Sequence, residues 1–327
     1  MLIVKRHHTD PYFNLAAEEY LLKESGEDIF MLWRNEPAII VGKHQNALSE
    51  INIDYVQQNN IRVVRRLTGG GAVFHDLGNL NFTFIQSDTD HTLNDFRKYT
   101  RPILDVLQGL GIDARFEGRN DLTIGGRKFS GNAEMVWKNR VLHHGTLLFS
   151  ALMTDLSQAL KVDEAKFQDK AVKSVRSRVT NISEHLHEPM DVEQFSEMIG
   201  SHIAGLYPDA RFYELTPEDQ RKIEELADSK YRTWDWNFGT SPFYNFRKII
   251  RTENSGTMEF CLDVRNGVIL QARFFGDYFS NADPREIEDA LANIPHEEES
   301  VRKAISPFEI GTYFAKLTTE EFIKGLF

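Results

Sequence analysis

The sequence predicts an α+β protein built from two units, and three observations support this fold class. Short apolar strand patterns alternate with amphipathic helix patterns over residues 1–242. The helical pattern breaks at 234–242, where aromatic residues, glycine and proline cluster. Residues 243–327 place their strand patterns before most of their helix patterns, an order typical of an α+β module. We therefore expect a large catalytic domain over 1–242 and a small accessory domain over 243–327.

In the large unit, the first helix is predicted to begin with Asp10 as N-cap and Pro11 in its first turn, and to end near Gly26. Apolar runs predict strands at 29–33, 38–41, 61–66, 81–85 and 114–117. The first two of these should pair with each other, and the fourth alternates polar and apolar residues, as a half-buried strand does. Further helices are predicted at 92–110, 150–160, 191–206 and 217–227, the first of them bent or split by Pro102.

The small unit begins with three strand patterns, at 246–251, 258–264 and 268–274. Asn266 and Gly267 join the last two strands as a tight hairpin. Helix patterns follow at 283–294, 298–305 and 318–326. We find no residue here that marks a functional site.

The composition is that of an ordinary globular protein. The chain has 327 residues, 41% hydrophobic and 27% charged, with a formal net charge of −11. Because nucleic-acid binding generally needs a basic field, this charge argues against nucleic acid as a partner. No apolar stretch approaches the roughly 20 residues of a membrane span, and the N-terminal run is too short for a signal peptide. The single cysteine, Cys261, cannot form an internal disulfide, so we expect a reducing, cytoplasmic setting.

The densest motif lies at 65–79, where Arg65 and Arg66 precede three consecutive glycines, Gly69, Gly70 and Gly71. Glycine main chain can lie directly against a bound group and present N–H donors to it. Guanidinium groups grip phosphates or carboxylates bidentately. The stretch therefore predicts a seat for an anion beside an apolar body, and the alternative is a tight hairpin with an exposed arginine pair. Its spacing matches neither the Walker A loop nor the dinucleotide fingerprint.

A second dense segment, 118–133, contains Gly125 and Gly126 between two apolar runs and predicts a two-residue hairpin. Lys128 should begin the returning strand, with Asp121 on the opposing strand. A lysine held rigidly there can offset negative charge on a carboxylate oxygen and an α-phosphate, so Lys128 is our candidate catalytic residue. Asp121 is predicted to partner Lys128 or a phosphate-bound Mg²⁺. The alternatives are a surface lysine and a turn aspartate bonded to local backbone.

Three histidines, His75, His143 and His144, are candidate metal ligands. His143 and His144 are adjacent on a predicted strand, so their side chains point to opposite faces and cannot chelate one ion together. His75 has no suitably spaced partner, and it either donates to a ligand or lies satisfied in the core. We therefore expect no transition-metal site.

Together these motifs resemble the lipoate–protein ligase A family. The resemblance is carried by the arginine and glycine stretch through His75 and Asp76, and by segments 118–122, 127–131, 143–146 and 174–181. It stays in order over residues 1–238, and 243–327 resembles the family's accessory domain through weaker motifs. The family is related to biotin protein ligases and implies a mixed-sheet α+β catalytic domain.

The resemblance implies an ATP-dependent enzyme with two steps. Lipoate and ATP give lipoyl-AMP and pyrophosphate, with Mg²⁺ on the phosphates, and the ε-amine of an acceptor lysine then displaces AMP. Carried over residue by residue, Lys128 contacts both the lipoyl carboxyl group and the phosphate, and Asp121 lies at the phosphate and metal side. The nucleotide would be held by Arg66, Gly71, Ala72, Val73, Phe74, Asp121 and Lys128. The lipoyl group would lie along Gly70, Gly71, His75 and Lys128.

Elementary chemistry agrees with this assignment. A free carboxylate is a poor acyl donor because attack on it must expel an oxide, whereas adenylation supplies a stabilised leaving group. The enzyme must hold two anions together, which requires cations, and must keep water away from a reactive mixed anhydride.

The implied acceptors are lipoyl domains of 2-oxoacid dehydrogenase E2 subunits, the glycine cleavage H protein, or both. Such domains are small and acidic. The most basic part of the chain, 166–178, contains Lys166, Lys170, Lys173, Arg176 and Arg178. This run either steers the acceptor, closes over the nucleotide, or is a solvated loop.

Three other functions are alternatives to the ligation of lipoate. Octanoyl- and lipoyl-transferases of the same fold work through a cysteine thiolate, but residues 1–242 contain no cysteine. Biotin ligation uses the same chemistry with a different slot. A non-catalytic binding protein is disfavoured by the presence of Arg66, Asp121 and Lys128.

Overall fold

The structure is a computed structural model that describes residues 1–5, 7–45, 47, 51, 53–87, 95–152, 179–238, 246–252 and 256–327. Within this described part, the strands form three sheets of eight, four and three strands. The predicted helix over 150–160 lies mostly outside the described residues, as do the basic run at 166–178 and the domain boundary at Pro242. The boundary therefore stays a prediction.

The large unit contains both the eight-stranded and the three-stranded sheet. Its strands are β1 (Leu2–Lys5), β2 (Ile29–Trp33), β3 (Ala38–Val41), β4 (Arg62–Arg65), β5 (Val73–His75), β6 (Asn79–Ser87), β7 (Ala114–Glu117), β8 (Asp121–Ile124), β9 (Arg127–Trp137), β10 (Arg140–Leu148) and β11 (Arg211–Glu214). Its helices are α1 (Pro11–Glu24), α2 (Ile53–Gln58), α3 (Phe96–Gly109), α4 (Val192–Leu206), α5 (Pro217–Leu226) and α6 (Trp234–Asn237).

The eight-stranded sheet is mixed, as the resemblance implied. Its order is β11-β1-β2-β6-β10-β9-β8-β7. Strand β1 runs parallel to both of its neighbours, and all the other adjacent pairs are antiparallel. One face packs on α3 and α4 around Phe82 and Phe195, and the other packs on α1 and α5 around Leu15 and Ile223. Strand β6 lies in the middle, and eight of its nine residues are buried. The expectation of a half-buried strand was therefore wrong, because helices cover both faces.

The helix signals in the large unit are mostly confirmed. The Asp10 side chain accepts a hydrogen bond from the Tyr12 amide at the start of α1, and capping boxes headed by Asp191 and Thr216 begin α4 and α5. Helix α3 continues through Pro102 without a split. Among the described residues, we find no helix with the length and apolar character needed to cross a membrane.

The three-stranded sheet has the order β4-β3-β5, with β3 parallel to β4 and antiparallel to β5. The predicted pairing of 29–33 with 38–41 was wrong. Strand β2 is already bonded on one side to β1 and on the other to β6, so it has no free edge for β3. The three-stranded sheet instead places the loop between β4 and β5 beside the eight-stranded sheet.

The small unit is a four-stranded antiparallel sheet covered by helices. Its elements are β12 (Phe246–Thr252), β13 (Gly256–Arg265), β14 (Val268–Gly276), α7 (Arg285–Ala290), β15 (Ile294–Pro295), α8 (Glu298–Ile305), α9 (Ile310–Tyr313) and α10 (Thr319–Leu326). The hairpin at Asn266 and Gly267 is confirmed. The helix predicted over 283–294 is shorter, because Asn293 adopts a positive φ of 63° and Ile294 pairs with β14.

Candidate active site

The glycine-rich stretch is a loop from β4 to β5 that the Arg66 guanidinium holds in shape. Nη2 donates to the carbonyls of Gly69 (2.7 Å) and Gly71 (2.8 Å), Nη1 donates to the Ile40 carbonyl (3.0 Å), and Nε donates to Thr68 Oγ1 (2.9 Å). Only 5% of Arg66 is exposed, and burial lowers its pKa to about 10, so it remains charged at neutral pH. This cation is bonded to the loop itself.

The Arg65 side chain plays a different structural part from the one predicted. It is 9% exposed, and burial lowers its pKa to about 10. It donates to the backbone carbonyls of Gly42, Lys43, Gln45, Trp236 and Asn237. Arg65 therefore joins the segment after β3 to α6, and the interpretation of both arginines as anion grips is wrong for Arg65. The alternative of an exposed pair is also wrong.

The second predicted motif folds as expected. Gly125 and Gly126 have φ values of +56° and +72°, as a two-residue hairpin turn requires. Lys128 follows on β9, and its Nζ lies 2.8 Å from Oδ1 of Asp121 on β8, with the two side chains 39% and 37% exposed. Gly131 lies next to the ammonium group, since a Cβ added there would be 3.0 Å from Lys128 Nζ. The hairpin thus carries a half-exposed cation with one carboxylate partner.

The two motifs meet at a cavity of about 120 Å³. Of the predicted site residues, those that line it are Arg66, Gly70, Gly71, Ala72, Val73, His75 and Lys128. Asp121 is not among the lining residues and is paired with Lys128. Phe74 points to the opposite side of β5, into a core with Ile39 and Val63. Because Lys128 is half-exposed whereas Leu15, Trp33 and His75 are at most 4% exposed, the cavity runs from a cationic mouth to a buried interior.

His75 lies in the buried interior of this cavity. Its Nδ1 is 3.0 Å from Nδ2 of Asn35, and its ring stands edge-on to Trp33, with centroids 6.0 Å apart. Burial, the charge of Arg66 and His144 lower its pKa to about 3, so the ring is neutral. Its Nε2 is buried, with no hydrogen-bond partner among the described residues.

Comparison with protein families and solved relatives decides the family. The model of the lipoyl protein ligase A/B catalytic domain matches residues 10–204, and the model of the bacterial lipoate protein ligase C-terminus matches 241–326. The chain belongs to the lipoate–protein ligase family. It is 44% identical to lipoate–protein ligase 1 of Staphylococcus aureus, covering 97% of this chain and 96% of the relative. It is 40% identical to the lipoate-protein ligase LplJ of Bacillus subtilis, covering 99% and 98%.

Solved structures agree with this assignment. LipL1 of P. falciparum, a structure in complex with lipoate, has a TM-score of 0.79 at 25% identity, covering 99% of this chain and 97% of its own. A lipoate-protein ligase A bound with ATP has a TM-score of 0.65 at 28% identity, covering 73% and 98%. The predicted family and the α+β fold class are confirmed, and the chain is an enzyme, a lipoate–protein ligase.

Sequence reasoning missed a buried polar network in the ligase. Nδ1 of His144 is 2.9 Å from Oε1 of Glu18, and its Nε2 is 2.7 Å from Thr68 Oγ1, which also accepts from Arg66. Glu18 is 1% exposed and accepts a further hydrogen bond from Thr83. The network links the interior of the cavity to the glycine loop. The signal that could have revealed it is Glu18 itself, a charged residue among the apolar positions of α1.

His143 lies on the opposite face of the sheet from His144, as predicted from their adjacency. It is fully buried, its Nδ1 lies 2.8 Å from Oε1 of Glu134, and its ring stacks on Tyr99. Burial lowers its pKa despite the opposing effect of Glu134. Across the part of the chain that the structure describes, no three histidine, cysteine or acidic side chains are grouped so that they could hold a metal ion.

The small unit contributes to the surroundings of the site, which the sequence did not indicate. The Gly70 amide donates to the Tyr278 carbonyl over 3.4 Å, and a Cβ on Gly69 would lie 2.2 Å from the same oxygen. The Phe279 ring packs on Phe96 and lies 4.7 Å from the Arg119 guanidinium. No local pattern marks Tyr278 or Phe279, because their role depends on how the units pack.

Proposed function

We propose that the ligase joins lipoate to protein in two steps. In the first, a carboxylate oxygen of lipoate attacks the α-phosphorus of ATP, the bond to the bridging oxygen breaks, and pyrophosphate leaves. In the second, the ε-amine of an acceptor lysine attacks the lipoyl carbonyl carbon, the bond to the AMP oxygen breaks, and an amide forms with loss of a proton.

The observation that carries this proposal is the position of Lys128. Its ammonium group lies at the mouth of a buried cavity that opens between the hairpin and the glycine loop. A lipoyl group with its ring inward would bring its carboxylate to this cation. Lys128 would then stabilise the negative charge on the carboxylate and on the α-phosphate as they approach each other.

The glycine loop is the proposed seat of the nucleotide. A Cβ added at Gly71 would meet no atom within 4 Å, so this main chain is open, and Ala72 and Val73 continue the same wall of the cavity. Arg66 supports the proposal by holding the loop and by its charge. A direct contact between Arg66 and a phosphate requires that one of its hydrogen bonds to Gly69 or Gly71 be exchanged.

Mg²⁺ enters the proposal through Asp121. Mg²⁺ is commonly bound by one or two carboxylates together with substrate phosphates, and Asp121 is the carboxylate beside the proposed phosphate position. The ion would neutralise charge on the phosphates. Loss of activity on removal of divalent ions, restored by added Mg²⁺, is the expected result.

The acceptors proposed are lipoyl domains of E2 subunits, the H protein, or both. One structural relative illustrates the pairing. The bi-partite lipoate protein ligase of Thermoplasma acidophilum, described together with its E2 lipoyl domain, is 30% identical to this chain, covers 75% of this chain and 98% of its own, and has a TM-score of 0.65. A cytoplasmic location and a domain boundary at Pro242 also remain proposals, testable by cell fractionation and by mass analysis of proteolytic fragments.

Acyl transfer through a thiolate is not supported by the position of the cysteine. Cys261 is the single cysteine of the chain, lies on β13 in the small unit, and is 3% exposed. Burial and Glu259 raise the pKa of its thiol to about 12, so it is protonated at neutral pH.

The test is transfer of lipoate to a purified lipoyl domain, with and without ATP, followed by intact mass. We expect a mass gain equal to one lipoyl group only when ATP is present, together with release of pyrophosphate before the acceptor is added. Transfer from an acyl carrier protein in the absence of ATP would contradict the proposal.

A further inference from the structure

The buried ring nitrogen of His75 has a defined protonation state, which its neighbours determine. Asn14 Nδ2 lies 3.0 Å from the His8 carbonyl and 2.9 Å from the Arg34 carbonyl, so it is the amide nitrogen of Asn14 that faces these acceptors. The same Nδ2 donates to Oδ1 of Asn35 over 2.8 Å. Asn35 must therefore turn its own amide nitrogen toward His75.

It follows that His75 Nδ1 is an acceptor. Asn35 Nδ2 lies 3.0 Å away and can only donate, so the lone pair of Nδ1 receives that hydrogen bond. A neutral imidazole carries one proton, which must then be on Nε2. The result is an N–H donor, fully buried and without a protein partner in the described chain, on a ring that lines the cavity.

This donor lies in the buried part of the cavity, whereas Lys128 lies at its exposed mouth. Lys128 is 39% exposed at the mouth, whereas His75 is 3% exposed and contacts Trp33, which is 4% exposed. An acyl chain with its carboxylate at Lys128 would therefore present its far end to the His75 ring. In lipoate, that end is a dithiolane ring with two sulfur atoms that can accept hydrogen bonds.

We propose that the His75 Nε2–H donates a hydrogen bond to a dithiolane sulfur and thereby selects lipoate over all-carbon acids of the same length. This inference rests on the proposed function and adds a specificity-determining residue to it. Sulfur is a weak acceptor, so the contact itself contributes little. The selectivity arises because an acid without sulfur leaves the buried donor without a partner, and an unsatisfied buried donor is costly.

The test compares the binding of two acids that differ only in the sulfur atoms. Lipoate and 5-cyclopentylpentanoate have the same chain and ring size, with carbon in place of sulfur in the second. We expect wild type to bind lipoate about tenfold more tightly, the ratio that about 1.4 kcal/mol of unpaired donor corresponds to. His75→Phe removes the donor and keeps a planar ring, and should reduce the ratio of dissociation constants to near one.

His75→Gln is the rescue variant, since its amide nitrogen reaches the position of Nε2 and restores a donor. It should recover most of the ratio. His202→Phe is the matched control: His202 also has a buried Nε2 without a partner in the described residues, but it lies on α4 and does not line the cavity. Its ratio should equal that of wild type.

The outcomes separate the inference from the proposed function. ATP-dependent transfer of lipoate by wild type, with an unchanged ratio in His75→Phe, would overturn the role of His75 and leave the ligation mechanism standing. Absence of ATP-dependent transfer in wild type would overturn the mechanism instead. A readout that needs no variant is the ¹⁵N spectrum of labelled histidine: one Nε2–H signal should shift with lipoate and shift less with the cyclopentyl acid.

Discussion

The two cations that flank the cavity differ in how the protein holds them. Arg66 is 5% exposed and donates four hydrogen bonds, three of them to main-chain carbonyls. Lys128 is 39% exposed and has Asp121 as its ion-pair partner. The buried guanidinium gives the loop its shape, whereas the half-exposed ammonium can change partners. Charge of the same sign therefore holds the loop on one side of the cavity, and on the other side it belongs to the proposed catalytic residue.

The energetics of the two settings explain this division. Removing a buried charge-assisted donor leaves its carbonyl acceptors without partners, which costs stability. A half-exposed ion pair is worth at most about 1 kcal/mol because water screens it, so exchange of Asp121 for a substrate anion has little cost. The proposed contacts of Lys128 with the carboxylate and the phosphate therefore need no rearrangement of the loop, whereas a phosphate contact of Arg66 does.

The largest expected effect is on turnover, in Lys128→Ala. Loss of a preorganised cation at the reacting oxygens should lower kcat/KM for ligation about 10²- to 10³-fold. Stability should change by less than about 0.5 kcal/mol, because the side chain is half-exposed. The measurements are steady-state ligation and denaturant unfolding. Arg127→Ala is the control on the same strand, with a side chain 41% exposed and 3.8 Å from Glu184. Near-normal turnover in Lys128→Ala would remove the distinction between the two cations.

The second prediction concerns Arg66, where, unlike at Lys128, we expect a clear loss of stability. Arg66→Ala should lower the free energy of unfolding by about 2–3 kcal/mol, because several buried carbonyls lose their donor. Activity should fall as well, since the glycine loop loses its shape. Urea unfolding followed by circular dichroism measures the first effect. Arg62→Ala, on β4 just before this loop and with a side chain 40% exposed, is the control and should cost less than about 1 kcal/mol. Wild-type stability in Arg66→Ala would show that the loop does not depend on this side chain.

What the sequence could predict was the local part of the site. Gly125, Gly126, Lys128 and Asp121 lie within ten positions of one another, and their spacing alone determines a hairpin that brings cation and carboxylate together. Helix starts at Asp10, Asp191 and Thr216 were predictable for the same reason, since a cap acts on its own first turn.

The non-local part could not be predicted. A pattern shows that 29–33 and 38–41 are strands, but not that β2 is already flanked by two other strands. The partners of Arg66 include a carbonyl of β3, and Tyr278 reaches the glycine loop from a position about 200 residues further along the chain. Such contacts decide whether an arginine binds a ligand anion or holds the backbone in place. The sequence of 65–79 alone is compatible with both roles.

The third prediction uses pH to probe the buried side of the cavity. The pKa of His75 falls from an ordinary 6.5 to about 3 in the folded state. Between these values the unfolded chain binds the proton and the folded chain does not, so stability is complete above about pH 6.5 and falls as pH decreases toward 3. Between pH 6.5 and 5, His75 alone should account for about 1.5 kcal/mol of the loss.

The measurement is the free energy of unfolding at both pH values in wild type and in His75→Gln. His44 and His143 also have pKa values lowered by burial, but they are present in both proteins and cancel in the difference. The variant should lose less stability than wild type on acidification. Equal losses would mean that His75 is accessible to protons, and that the buried side of the cavity is wetter than the structure indicates.

The smallest expected effect distinguishes two glycines of one loop. A methyl group on Gly71 meets no atom within 4 Å, so Gly71→Ala should leave stability unchanged. If the nucleotide lies on this main chain, the methyl group should displace one backbone hydrogen bond and raise KM for ATP about fivefold, which corresponds to about 1 kcal/mol. A methyl group on Gly69 would instead lie 2.2 Å from the Tyr278 carbonyl oxygen. Gly69→Ala should therefore lower stability by about 1–3 kcal/mol, as overpacking does. If Gly71→Ala left KM for ATP unchanged, the nucleotide would have to lie elsewhere, and the open side of the loop would have no part in the first step.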